Sequence, residues 1–214
     1  PFVAWLLSFG SLLPHSLIRW PSVVLFHLGF LFWFQLLSEF QNSKQIRNWF
    51  ILCLLCPLTG LGSIFVLPDA PLFFFFSASL FFFMRALRTL ALRDYFLFGA
   101  FLGLGFISKY IVVVPAILFV VFLIWQKKLE HFKLKSLMAT MAAGLFFCLP
   151  VLIWNYQNDF KSFGFQLRHG FAEGPWRWDW TFSYVLGTAS LVFPMNSKFI
   201  FAAPTTPPLR LLKF

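Results

Sequence analysis

Charge is what this sequence has least of. Only 11% of its 214 residues are Asp, Glu, Lys or Arg, against about a quarter in an ordinary soluble domain. Acids are scarcer still, with 7 against 17 bases. So few charges cannot clothe a water-facing surface, which excludes a soluble enzyme or binding module. Cysteine is also rare. Cys53, Cys56 and Cys148 are the three present, and the Cys53–Cys56 pair lies in an apolar run with no second pair and no nearby His. That leaves small apolar residues on a helix face as its reading, not a metal or redox site. No basic leader with a cleavage pattern opens the chain, which starts Pro1-Phe2-Val3-Ala4-Trp5. Glycines appear as Gly99-x-x-x-Gly103 inside an apolar run, a helix-packing pattern and not a dinucleotide fingerprint.

What fills the sequence instead is apolar bulk. Hydrophobic residues make up 60% of it, aromatic residues 22% and phenylalanine alone 34 positions. The mean hydropathy is +0.81. At roughly 20 residues per crossing the length admits about seven spans. The expectation is an all-α, polytopic transmembrane bundle. Residues 1–13 form a short apolar segment suited to the interface. The spans fall at 19–40, 48–67, 72–87, 95–107, 111–125, 136–154 and 180–203. A long polar loop, 155–179, precedes the last.

Basic residues mark the connections. Lys44 and Arg47 follow the first span, and Arg85, Arg88 and Arg93 follow the third. Lys127, Lys128, Lys133 and Lys135 follow the fifth, and Arg210 and Lys213 lie in the tail. With alternating spans all of these fall on one side, the cytoplasmic one by the positive-inside rule. The net charge of +10 is thereby explained by orientation, and no nucleic-acid partner is expected. Glu39, near the inner end of the first span, can reach Lys44 or water. The Pro68–Pro71 break, Lys109 and the 155–179 loop fall on the opposite, outer side.

Three outer features carry chemical interest. Asp69 sits between Pro68 and Pro71, held rigidly near the membrane surface; it reads either as the cap of the following helix or as a functional acid. Lys109 stands on the side where positive charge is disfavoured. It is either a snorkelling lysine or an anion site such as one for a lipid phosphate. Arg168-His169, with Glu173 further on, reads as a solvated loop or as a phosphate contact; a metal role for a lone His is weak. Trp176, Trp178 and Trp180 suit an aromatic belt at a span entrance.

Several stretches, in order, are similar to one family. Leu67-Pro68-Asp69-Ala70-Pro71-Leu72, followed by a Phe-rich helix ending Met84-Arg85-Ala86-Leu87, resembles a hallmark of the polyprenyl-phosphate-dependent GT-C glycosyltransferases, the relatives of protein mannosyltransferases and aminoarabinose transferases. Gly103-Leu104-Gly105-Phe106-Ile107-Ser108-Lys109-Tyr110 resembles the glycine-rich helix of bacterial members. Pro150-Val151-Leu152-Ile153-Trp154-Asn155 and Ser162–Phe171 are similar to a third stretch. Pro1–Trp5 and Arg19–Ser22 match an early outer segment and the next helix. The resemblance covers about residues 1–195.

The resemblance implies transfer of a sugar, with inversion, from a polyprenyl-phosphate donor to an acceptor lipid, glycan or protein on the outer face. The setting it implies is a bacterial inner membrane, with sites facing the periplasm or exterior. It implies Asp69 as catalytic acid–base group and Lys109, Arg168 and His169 as donor-phosphate ligands, with a divalent cation as the one cofactor to consider. It places a transmembrane glycosyltransferase domain at 1–203 and a cytoplasmic tail at 204–214. The family's first outer-loop acid and the helix before it have no counterpart here, so a fragment, inactive alone, is also an expectation. A lipid or solute transporter and a non-catalytic membrane subunit are the alternatives. A transporter calls for charges at mid-membrane depth and paired repeats, whereas these charges sit at connections.

Overall fold

The computed structural model describes residues 2–39, 41–65, 67–125, 127, 133–170 and 177–192, and these are helical throughout apart from turns. Ten α-helices follow in order: α1 (Phe2–Gly10), α2 (Trp20–Leu37), α3 (Ser43–Leu55), α4 (Pro57–Ile64), α5 (Asp69–Thr89), α6 (Leu92–Ser108), α7 (Val113–Trp125), α8 (Leu134–Gln157), α9 (Lys161–Gly170) and α10 (Trp178–Val192). Among the described residues three of the seven expected spans, α2, α5 and α8, are long and apolar enough to cross a membrane. A shorter apolar stretch, Tyr110–Trp125, includes α7.

Two expectations are corrected. The stretch 48–67 is not one continuous span. Pro57 has no N–H to continue a helix, and the chain breaks at Cys56, which is extended (φ −70°, ψ 120°), into α3 and α4. The polar loop 155–179 is largely helical where described: α8 runs on to Gln157 and α9 occupies Lys161–Gly170. The chain reverses between them through Asp159 and Phe160, both in the left-handed region. The tail 204–214 lies outside the described residues, as do 193–203 of the last expected span.

The packing order is α2, α5, α6, α8, each most extensively against the next. Half of the spanning stretch of α5 is buried in protein, against 22% for α2 and for α8. Lipid gives helices no hydrophobic reason to associate, so close contact must come from shape. Phenylalanine and glycine supply that shape. Phe73 stacks on Phe26 at 4.8 Å and Phe83 on Phe119 at 4.6 Å, so much of the Phe run is interhelical filling. Gly29 faces Phe73. A Cβ on Gly99 would lie 2.1 Å from the Thr140 carbonyl oxygen, and one on Gly103 would lie 2.4 Å from that of Gly144. The α6–α8 crossing therefore needs both glycines.

Glu39, just after α2, pairs with Arg88 in the last turn of α5. The loop before α3 and the α5–α6 turn thus share one end of the bundle. Glu39 reaches Arg88, not Lys44. The Asp69 and Lys109 ends of α5 and α6 lie together at the other. The 21 residues of α5 separate the two ends by roughly 30 Å, about a hydrocarbon core.

Candidate active site

Asp69 owes its position to its prolines. Pro68 (φ −59°) is the helix N-cap, and Pro71 falls in the first turn, where a missing N–H breaks nothing. Asp69 is therefore the first helical residue of α5, not its cap, and no side chain caps this helix. Its carboxylate faces the positive end of the helix dipole, which favours it there.

Lys109 is placed by a helix end. Its N–H donates to the Gly105 carbonyl at 2.9 Å, and its backbone then turns extended (φ −158°, ψ 127°). A tight turn, Tyr110–Val112, leads into α7. Gly105 lets this turn fold back, because a Cβ there would meet Val112 Cγ2 at 2.9 Å. From this corner Lys109 Nζ donates to Asp69 Oδ1 at 2.7 Å. Both side chains remain about half exposed, 46% and 54%. The structure thus joins two residues forty positions apart into one accessible carboxylate–ammonium pair.

Tyr110 carries the corner across to α8 and α9. Its hydroxyl pairs with Ser162 Oγ and lies 3.5 Å from Asn155 Nδ2. Asn155 is fully buried, and its Nδ2 also donates to Val151 O at 2.9 Å. Its Oδ1 has no partner among the described residues. Phe163 packs against the Tyr110 ring at 5.0 Å and against Phe106 at 6.3 Å. Beneath the corner Ile107, Cys148 and Val151 form a buried cluster.

The remaining predicted residues ride on α9. Arg168 is exposed near its C-terminal end and has no ion pair among the described residues. His169 falls within α9, but its side chain lies outside the described residues, as does all of Glu173. At the start of α10, Arg177 forks onto Asp179 (3.1 and 2.5 Å) and lies 4.8 Å over the Trp180 ring. That guanidinium holds the Asp179 carboxyl below the ordinary carboxylate range.

Among the described residues no three His, Cys, Asp or Glu side chains converge as metal ligands. The lone carboxylate of the site is already paired with an ammonium. These residues do not make a divalent-cation cage.

Tyr110, Asn155 and Ser162 stand in the family-like stretches of the sequence, but no role for any of them is legible there; it is their mutual contacts that show one. Nor does the sequence single out Asp94, in the first turn of α6, which is 2% exposed; Arg85 Nε lies 3.2 Å from it and Thr89 Oγ1 donates to it at 2.6 Å. Arg85 and Arg88, which the positive-inside pattern reads as orientation signals, both hold acids.

A helical bundle with three helices long and apolar enough to cross a membrane is that of an integral membrane protein. The family model of the dolichyl-phosphate-mannose-protein mannosyltransferases matches residues 1–154, and the chain belongs to that family. It is a membrane protein of the GT-C-like glycosyltransferases that use polyprenyl-phosphate sugars, as its motifs suggested. No curated protein and no solved structure matches the chain. The matched stretch contains Asp69, Lys109 and Tyr110 and ends just before Asn155 and α9.

Proposed function

We propose that the Asp69–Lys109 pair is the transfer site of a glycosyltransferase that works on the outer face of a bacterial inner membrane, within a transmembrane domain spanning 1–203. The observation that carries this is the 2.7 Å contact between the two residues. An acid that can take a proton and a cation that can hold a phosphate stand within one hydrogen bond of each other.

The proposed sequence begins with exchange of partners. The anionic phosphate of the polyprenyl-phosphate sugar takes Lys109, with Arg168 and His169 approaching from α9, and releases the Asp69 oxygen. The acceptor hydroxyl or amine, on a lipid, glycan or protein, gives its proton to Asp69. Its heteroatom then attacks the anomeric carbon, the bond from that carbon to the phosphate oxygen breaks, and polyprenyl phosphate departs with the bonding pair. Lys109 stabilises the charge that builds on the leaving oxygen. Attack opposite the leaving group inverts the centre. Both residues stand at helix ends, which supports chemistry at the surface over a transport pathway through the bundle.

The test is sugar transfer by membranes carrying the chain, supplied with a panel of polyprenyl-phosphate sugars. Asp69→Asn is expected to lose at least about a hundredfold in transfer rate, the usual worth of a positioned base. Lys109→Gln is expected to raise the donor KM, with Lys109→Arg partly restoring it. Transfer unaffected by Asp69→Asn, or no transfer from any donor, would overturn the reading.

A further inference from the structure

At the end of the bundle opposite Asp69, α2 and α3 leave a crevice of about 440 Å³ between them. Its walls are Leu31 and Phe34 from α2 and Ile46 and Phe50 from α3, and its mouth carries Ser43 and Arg47. The two helices meet chiefly through rings: Phe30 against Trp49 and Phe50, Trp33 against Trp49, and Phe34 against Phe50 at 5.9 Å. Next to this contact the crevice is apolar along its length and polar at one edge. The volume is of the size that holds a small ligand or part of a lipid.

The mouth is also electrostatically unresolved. Lys44 and Arg47 lie three apart near the start of α3, so both stand on one side of it. That is the positive end of the helix dipole, where cations are disfavoured, and the first turn holds no acid. The nearby acid, Glu39, is engaged by Arg88. Arg47 is exposed and has no ion pair among the described residues. Of the first-turn N–H groups, that of Gln45 is taken by Asn42 Oδ1 at 2.9 Å in a capping box. What the mouth lacks is an anion, and what the walls lack is a chain to fill them.

We propose that this crevice seats an anionic glycerophospholipid of the leaflet opposite the transfer site. One acyl chain lies along Leu31, Phe34 and Phe50, and the headgroup phosphate sits on Arg47 and the start of α3, with Lys44 alongside. A zwitterionic lipid fits the walls equally well but brings its own cation to a mouth that already holds Arg47, with Lys44 one turn away on α3. Basic pockets between helices at the membrane edge select anionic headgroups in this way. The site is some 30 Å from Asp69, and the proposal stands independently of the transfer reaction.

The experiment uses the full chain, purified in a neutral detergent and stripped of lipid. Phosphatidylglycerol, phosphatidylcholine or inorganic phosphate is added, with bound lipid counted by native mass spectrometry and Tm followed in parallel. Phosphatidylglycerol is expected to remain bound and to raise Tm, with phosphatidylcholine and phosphate well behind. Arg47→Gln is expected to weaken phosphatidylglycerol binding about tenfold, the scale of one charge-assisted hydrogen bond. Arg93→Gln, at the same end but on α6, is expected to leave it unchanged. Leu31→Trp, which fills the crevice and keeps every charge, is expected to displace the lipid. Equal binding of the two lipids, or phosphatidylglycerol binding that survives both Arg47→Gln and Leu31→Trp, would overturn the proposal.

Discussion

Two ion pairs at opposite ends of α5 show how burial changes what a charge is for. The Asp69–Lys109 pair is half exposed, and exposed pairs contribute at most about 1 kcal/mol to stability. Its short geometry is therefore of little structural value, and either partner can leave it for a substrate at small cost. Asp94 is the opposite case. Its carboxylate is buried and holds both Arg85 and Thr89, while Arg85 itself is half exposed. Removing Arg85 leaves a buried carboxylate without its countercharge, the costly way to break such a pair. Asp94→Asn instead removes the buried charge and lets Arg85 turn to water. In detergent unfolding, Arg85→Gln is expected to destabilise by roughly 3 kcal/mol and Asp94→Asn by about 1–2 kcal/mol. The reverse order would mean that Asp94 is not held as a charged group. Asp69 and Lys109 were legible as candidates because each sits in an interruption of apolar sequence. Their contact was not, since nothing local links residues forty positions apart. Asp94 was hidden for a related reason: an acid among arginines reads as part of a solvated turn until packing covers it.

Helices carry the site through a few contacts between elements. The glycines of α6 were legible as a packing motif, and the structure names what each one faces. Gly99 accepts the backbone of Thr140 so closely that any side chain must push α8 away. Gly99→Leu is thus expected to cost at least about 3 kcal/mol by overpacking, read as loss of folded protein on heating in detergent. α9 is held differently. Between α8 and the polar stretch that follows, it docks through Tyr110 to Ser162 and through Phe163 against the Tyr110 and Phe106 rings. The sequence read this region as loop because its polar residues lack a spanning length, yet a short helix with one apolar side can lie on a bundle. Tyr110→Phe keeps the ring and removes the hydroxyl; Ser162→Ala removes its partner. Each is expected to speed proteolysis within 161–170, and the double variant is expected to do little more than either. Coupling of about 1 kcal/mol between the two is the expected reading. Strictly additive effects would mean that the two hydroxyls do not hold α9 together.

At the scale of the whole molecule, the protein is two charged ends and a greasy middle. The basic connections near Lys44 and near Arg88 meet through the Glu39–Arg88 pair, and Asp69 meets Lys109 about 30 Å away. Alternation of spans, read from charge alone, puts the members of each pair on the same side but predicts neither contact. Nor does it predict the number of full crossings, because α6, at 17 residues, and α7, at 13, are short for a 30 Å hydrocarbon core and owe their places to packing beside α5 and α8. A bundle so arranged must show its two ends to different compartments. Leu67 and Leu92 are exposed, one beside Asp69 and one beside the α5–α6 turn. With Cys53, Cys56 and Cys148 replaced by alanine, Leu67→Cys is expected to react with a membrane-impermeant maleimide applied to the outside of intact cells. Leu92→Cys is expected to react only after the membrane is opened. Labelling of both from one side would break the two-ended arrangement, and with it the placement of the acid–cation pair on the outer face. Labelling with the sides exchanged would keep the bundle and move the transfer site to the cytoplasm, where the positive-inside bias of Lys44, Arg47, Arg85, Arg88 and Arg93 would lose its explanation.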